Sequence, residues 1–105
     1  MNNNKIYKTQ IQKSNMGTAL ITIKIMPESP KTDLKKIQNE TEIIIKKHEG
    51  KNLNFKIEPV AFGLNSLNIS FARDETLDND KMLEEIQKLK NISSAEIIDF
   101  RRAFG

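Results

Sequence analysis

One histidine, no cysteine and a short acidic run are the groups in this 105-residue chain most able to do chemistry. Acid–base catalysis would need a poised group, and His48 is the natural candidate. It closes the apolar stripe of a helical pattern, near the negative end of that helix's dipole, where a partly buried structural histidine is expected. The run Asp74-Glu75 and Asp78-Asn79-Asp80 offers oxygen ligands but lacks the glycine and terminal glutamate of an EF-hand loop. Solvated acids at a helix start account for it better, so no metal and no cofactor are expected. The absence of cysteine excludes disulfides, thiolate zinc sites and thiol nucleophiles, and fits a cytoplasmic protein. A phosphate-cradling site needs a glycine-rich strand-to-helix loop. The available loop, Pro27-Glu28-Ser29-Pro30, is acidic and stiff, so no direct nucleotide binding is expected.

What remains is a chain whose chemistry lies in what it presents to a partner. The stretch Glu58-Pro59-Val60-Ala61-Phe62-Gly63-Leu64 is the candidate. Pro59 has no N–H for a sheet ladder and marks a strand end, while Gly63 can turn the chain through positive φ. A loop that only connected two strands would be polar here. A phenyl ring at its tip either tucks into the core or is covered by a partner.

The elements that must position this stretch follow from periodicity. Ala19, Ile21, Ile23 and Ile25 alternate with Leu20, Thr22, Lys24 and Met26, a strand ended by Pro27. Thr32 or Asp33 can cap a helix in which Leu34, Ile37, Thr41, Ile44, Ile45 and His48 follow helical spacing to a stop at Gly50. Leu53, Phe55 and Ile57 alternate in a second strand, and Leu67, Ile69 and Phe71 in a third. Arg73 to Asn79 is read as an acidic loop, with Asp80 as N-cap of a second helix carrying Met82, Leu83, Ile86 and Leu89. Ala95 to Arg101 is a last strand. The order β-α-β-β-α-β predicts an α+β, ferredoxin-like sandwich: a four-stranded antiparallel sheet with two helices on one face. A core supplied by Ile23, Ile25, Phe55, Ile69 and Phe71 leaves Phe62 on a turn at the sheet's end.

Residues 1–15 are polar and Asn-rich, without a sustained period, and are expected to be a disordered tail on a single domain spanning 16–105. Met16 is then a candidate start. The tail carries Lys5, Lys8 and Lys13 and no acid, which leaves 14 basic against 14 acidic side chains in the rest. The net charge of +3 therefore belongs to the tail, and the folded part is not basic. No apolar run approaches the ~18 residues of a membrane span. The sheet's open face, with Thr22, Lys24, Asn54, Lys56, Asn68 and Ser70, offers no aromatic on which RNA bases would stack. A small RNA-binding or ribosome-associated ferredoxin-like module working through the basic tail stands as the alternative to a protein-interaction domain.

Four segments in order carry a resemblance: Ile23 to Pro30, Glu58 to Leu64, Met82-Leu83-Glu84-Glu85-Ile86, and Asp99-Phe100-Arg101-Arg102. Together they resemble the archaeal elongation factor 1-beta family over about residues 16–105, and the exchange domain of its eukaryotic relatives. The resemblance implies the same ferredoxin-like fold and a guanine-nucleotide exchange factor for elongation factor 1-alpha, binding its GDP form. It implies no bond chemistry, no DNA and no membrane, and a monomer when free. Phe62, with Gly63, matches the family's loop aromatic, placed in eukaryotic relatives against the GTPase's second domain. Phe100-Arg101-Arg102 aligns with their Phe-Asn-Lys, so Arg102 stands where a lysine reaches toward the magnesium site. Arginine is a larger planar cation and no simple substitute. Asn65-Ser66 lacks the basic pair that many relatives place after the loop. In a sandwich of this topology Phe62 and Arg102 are expected at opposite ends of the sheet, roughly 20–25 Å apart. That spacing suits a rigid spacer touching two domains of one partner.

Overall fold

Alternation along the strands and a 3.6-residue stripe along the helices give six elements in the computed structural model, which describes residues 17–103. They are β1 (Thr18–Pro27), α1 (Leu34–Lys47), β2 (Lys51–Pro59), β3 (Asn65–Asp74), α2 (Asp80–Gln87) and β4 (Ile92–Ala103). The sheet order is β2-β3-β1-β4, antiparallel throughout. Each helix connects two strands that are not neighbours, which is the split βαβ arrangement of the ferredoxin-like fold. The tail over residues 1–15 lies outside the described residues.

The core is one layer between sheet and helices. Ala19, Ile21, Ile23 and Ile25 of β1 and Leu67, Ile69 and Phe71 of β3 are buried against Ile37 and Ile45 of α1 and Met82 and Ile86 of α2. Phe55 and Leu53 of the edge strand β2 pack against this cluster from its margin, while Ile57 near the hairpin end is exposed. On the open face the register joins Thr22 to Ser70, whose hydroxyls hydrogen-bond at 3.1 Å.

Local chemistry sets the helix ends. Asp33 caps α1: its Oδ1 accepts from the backbone N–H of Lys35 (3.0 Å) and Lys36 (3.2 Å). At the other end Glu49 takes the left-handed conformation (φ 68), and the Gly50 N–H donates to Ile45 O at 2.8 Å. With the Glu49 N–H on Lys46 O, this is a Schellman ending. Gly50 is needed for space, because a Cβ there would meet Ile45 Cγ2 at 2.2 Å. α2 begins differently from expectation. Asp80 is its first helical residue and Asn79 precedes it without capping it. The Asn79 side chain is committed elsewhere: its Oδ1 accepts from Arg73.

Arg73 itself corrects the expected loop. It lies within β3, 6% exposed, and continues the buried alternation of Leu67, Ile69 and Phe71. Burial pulls its guanidinium pKa down, against the nearby Glu49, Asp78 and Asp74 carboxylates, which raise it. The side chain is satisfied by His48 O (2.7 Å), Asp78 O (3.3 Å) and the Asn79 carboxamide, and so ties the end of α1 to the β3–α2 loop.

His48 is structural as expected. Its Nε2 lies 3.0 Å from Glu85 Oε2, and Lys47 Nζ lies 2.6 Å from Glu85 Oε1, pinning α1 to α2. The Lys47 ammonium, then the His48 imidazole, hold the Glu85 carboxyl below its ordinary 4.5. A carboxyl depressed on folding stabilises above its unfolded pKa, and that contribution is lost as pH falls through the folded value. Glu85→Gln should therefore flatten the acid limb of the stability–pH curve, read as urea midpoints. A second change tests the helix ending. Gly50→Ala, between the buried Ile45 and Phe71 side chains, should cost about 1–3 kcal/mol and lower the urea midpoint without altering the slope.

Candidate functional site

The β2–β3 hairpin is closed by the Val60 N–H donating to Leu64 O at 2.7 Å and tightened by the Leu64 N–H donating to Ala61 O at 3.2 Å. The two residues between Ala61 and Leu64 both have positive φ: Phe62 at 61 and Gly63 at 74. That pair is the mark of a type I′ turn, whose first central position normally takes Asn, Asp or Gly because a Cβ is crowded there. Here a phenylalanine occupies it. The ring is 93% exposed, so it does not tuck into the core. Val60 and Ile57, both partly exposed, lie on the same hairpin. A Cβ on Gly63 would meet Pro30 at 3.9 Å, so the tip stands beside the β1–α1 loop.

The second group of residues is set by β4. Ile23 lies opposite Ile97 and Thr22 opposite Asp99, so Ile98 is one residue too many on β4, a bulge. Beyond it the alternation is reversed from what an unbroken strand would give. Phe100 falls opposite the buried Ile21, and Arg102 opposite the buried Ala19. Arg101 falls opposite Leu20, on the open face. The three consecutive residues are thus divided between the two sides of the sheet. Arg101 Nε pairs with Asp99 Oδ2 at 2.9 Å. Arg102 Nε pairs with Glu75 Oε1 at 3.0 Å, without the alignment of a hydrogen bond. Phe100 is about half exposed.

Phe62 and Gly63 do not meet Phe100, Arg101 and Arg102. Leu67, just past the hairpin, lies opposite Ile25, whereas Arg102 lies opposite Ala19. Six residues of β1 separate those positions, about 20 Å at 3.3 Å per residue, before the hairpin adds its own reach. Two elements of the far end escape a reading of the sequence. Ala19 pairs with Arg73 on one side and Arg102 on the other, giving a row of two arginines around a small residue. Period-two spacing from Leu67 through Phe71 is the signal that could have placed Arg73 in the strand. Glu75, the partner of Arg102, carries no such signal.

Among the described residues no three His, Asp or Glu side chains gather to hold an ion. No described helix is long and apolar enough to cross a membrane. The arrangement can present an apolar anchor at one end and a cation at the other.

Comparison with known proteins bears on what such a surface meets. Residues 20–103 match the family described as the EF-1 guanine nucleotide exchange domain. Elongation factor 1-beta of Nanoarchaeum equitans is 38% identical over 82 residues, covering 77% of this chain and all of that protein. Its counterpart in Methanothermobacter thermautotrophicus is 38% identical over 90 residues, covering 83% of this chain and 98% of the relative. Among solved structures, the de novo designed protein Foldit4 superposes with a TM-score of 0.62 at 15% identity, over 82% of this chain and 98% of its own. The ACT domain from GTP pyrophosphokinase of Chlorobium tepidum does so at 0.54, also 15% identical, over 75% of this chain and 96% of that one. The last two share the ferredoxin-like architecture alone. The family match runs from within β1 to the end of β4, and this chain belongs to the EF-1 guanine nucleotide exchange domain family.

Proposed function

We propose that this chain is the guanine-nucleotide exchange factor of translation elongation, acting in the cytoplasm on the GDP form of elongation factor 1-alpha as a monomer. It makes and breaks no bond. Faster GDP release requires only that the factor bind the nucleotide-free GTPase more tightly than the nucleotide-bound one, since a ligand shifts an equilibrium by its differential affinity.

The observation that carries the residue assignment is Phe62. Its ring is almost wholly exposed on a backbone conformation that a bulky L-residue resists. An exposed aromatic at a tight, hydrogen-bonded tip is a pre-organised anchor, and aromatics dominate the energetics of protein interfaces. The family role of this ring, seated against the GTPase's second domain, fits that geometry. Arg102, about 20 Å or more away, stands where eukaryotic relatives direct a lysine toward the magnesium site. The two contacts are too far apart for one pocket and suit two domains of one partner. Phe62 then anchors, and Arg102, flanked by Phe100 and Arg101, disturbs the nucleotide end. RNA binding on the sheet face finds no aromatic at the paired open-face positions Leu20, Thr22, Lys24, Asn68, Ser70 and Ala72; binding through the tail is tested by titrating labelled RNA against the full chain and a Met16 truncation.

Release of a fluorescent GDP analogue from elongation factor 1-alpha tests this. Phe62→Ala should raise the half-saturating concentration of the factor about 30-fold, the equivalent of ~2 kcal/mol. Arg102→Ala should slow release about tenfold, with urea midpoints for both variants near the parent's. Wild-type release rates would sink the site assignment. A third variant separates docking from folding. Phe62→Gly removes a left-handed strain of ~1–2 kcal/mol while adding the unfolded-state entropy of glycine, for a net gain of about 0.5 kcal/mol in stability. It should raise the melting temperature and weaken exchange together.

A further inference from the structure

The ion pair between Arg102 and Glu75 is unlike the others at the surface. Arg102 is 67% exposed in its side chain but Glu75 only 20%, and the paired oxygen, Oε1, is itself buried. The carrier of that carboxylate is fixed. The Glu75 N–H donates to Gly17 O at 2.5 Å, tying the residue to the start of β1. Arg73 holds the rest of the same loop through Asp78 O and the Asn79 side chain. Arg102 in turn stands opposite Ala19, one strand away from Arg73. By contrast the Arg101–Asp99 pair joins two residues of one strand, both well exposed, which is the weak kind of surface pair.

The contact falls on Nε, the inner nitrogen of the guanidinium. Two thirds of the Arg102 side chain is still open to solvent in that pair. A free arginine side chain samples many rotamers, and ordering one at an interface costs about 0.5–1.5 kcal/mol. Glu75 limits that freedom before any partner arrives while most of the side chain stays exposed. We propose that Glu75 is a positioning residue for exchange: it pre-orders Arg102 so that its terminal nitrogens meet an anionic surface on the GTPase. This rests on the proposed role of Arg102 and adds the residue that makes it effective.

The experiment is a double-mutant cycle on the full chain with Glu75→Gln, Arg102→Ala and the pair, read as release of a fluorescent GDP analogue across a range of factor concentrations. Glu75→Gln should raise the half-saturating concentration about three- to tenfold with little change in the plateau rate. In the Arg102→Ala background it should change nothing further. Three results would overturn the proposal: a parental half-saturation in Glu75→Gln, a lower one (Arg102 restrained and not aimed), or an equal loss in both backgrounds. The last would mark Glu75 as merely structural, and a urea midpoint on each variant checks it. If Arg102→Ala itself behaves as the parent, the role of Arg102 fails and Glu75 falls with it. A slow Arg102→Ala beside a parental Glu75→Gln removes Glu75 alone.

Discussion

Strand β1 pairs along both of its edges, with β3 on one side and β4 on the other. Its buried residues, Ala19, Ile21, Ile23 and Ile25, leave no slack in that register, because a slip of one residue would turn the whole apolar set toward solvent. Every other position of interest is measured from this strand. The Phe62 hairpin hangs from β3 next to the Pro27 end of β1, and Arg102 sits opposite Ala19 at its start. The separation between Phe62 and Arg102 is thus a property of the best-buried strand in the molecule, and it cannot drift while the core is intact. For a factor whose proposed work is to touch two domains of one partner and bind one of its states better than another, a stiff ruler is more useful than a flexible arm.

The bulge at Ile98 gives β4 a second kind of control. Without the extra residue, Arg102 would share the open face and Arg101 would point toward the helices. With it, Arg102 reaches the side where the β3–α2 loop can supply Glu75. One inserted residue therefore decides which of two adjacent arginines acquires a semi-buried acidic partner. Arg73 contributes from the neighbouring strand. Its buried guanidinium braces the loop at Asp78 and Asn79, while the Glu75 N–H fixes the near end of the loop on Gly17 O.

The six elements and their order were legible because strands and helices announce themselves by apolar period, and Asp33 as a cap by its place before that period. The exposure of Phe62 was inferred by elimination, since the core was already filled. Its left-handed backbone was not foreseen, because a type I′ turn is normally signalled by Asn, Asp or Gly at that position, and phenylalanine carries the opposite signal. β4 runs further at both ends than the expected Ala95 to Arg101, from Ile92 to Ala103, and the adjacent Ile97 and Ile98 inside it mark a bulge. A charge in a core-facing position is rare, so Arg73 reads as loop from the sequence. The acceptors that permit it, His48 O, Asp78 O and the Asn79 carboxamide, are tertiary and leave no trace in neighbouring residues. The same holds for Glu75 and Arg102, which come together only through the sheet.

The two ends of the molecule solve one problem by different means. An exposed group that must meet a partner has to be ordered beforehand, or binding bears the cost. At the hairpin the order is covalent and steric: two positive-φ residues and two hydrogen bonds give Phe62 a single exit direction, with backbone strain as the penalty. At the far end no backbone device is available, because Arg102 is a regular strand residue with a long flexible side chain. Order there must come from an opposite charge, and the charge must be partly buried to resist screening by salt. Glu75, 20% exposed on a loop braced by Arg73, meets that requirement where the exposed Asp99 does not. It follows that the two proposed contacts respond differently to conditions: rising ionic strength loosens the Arg102 end first and leaves the Phe62 end as it was.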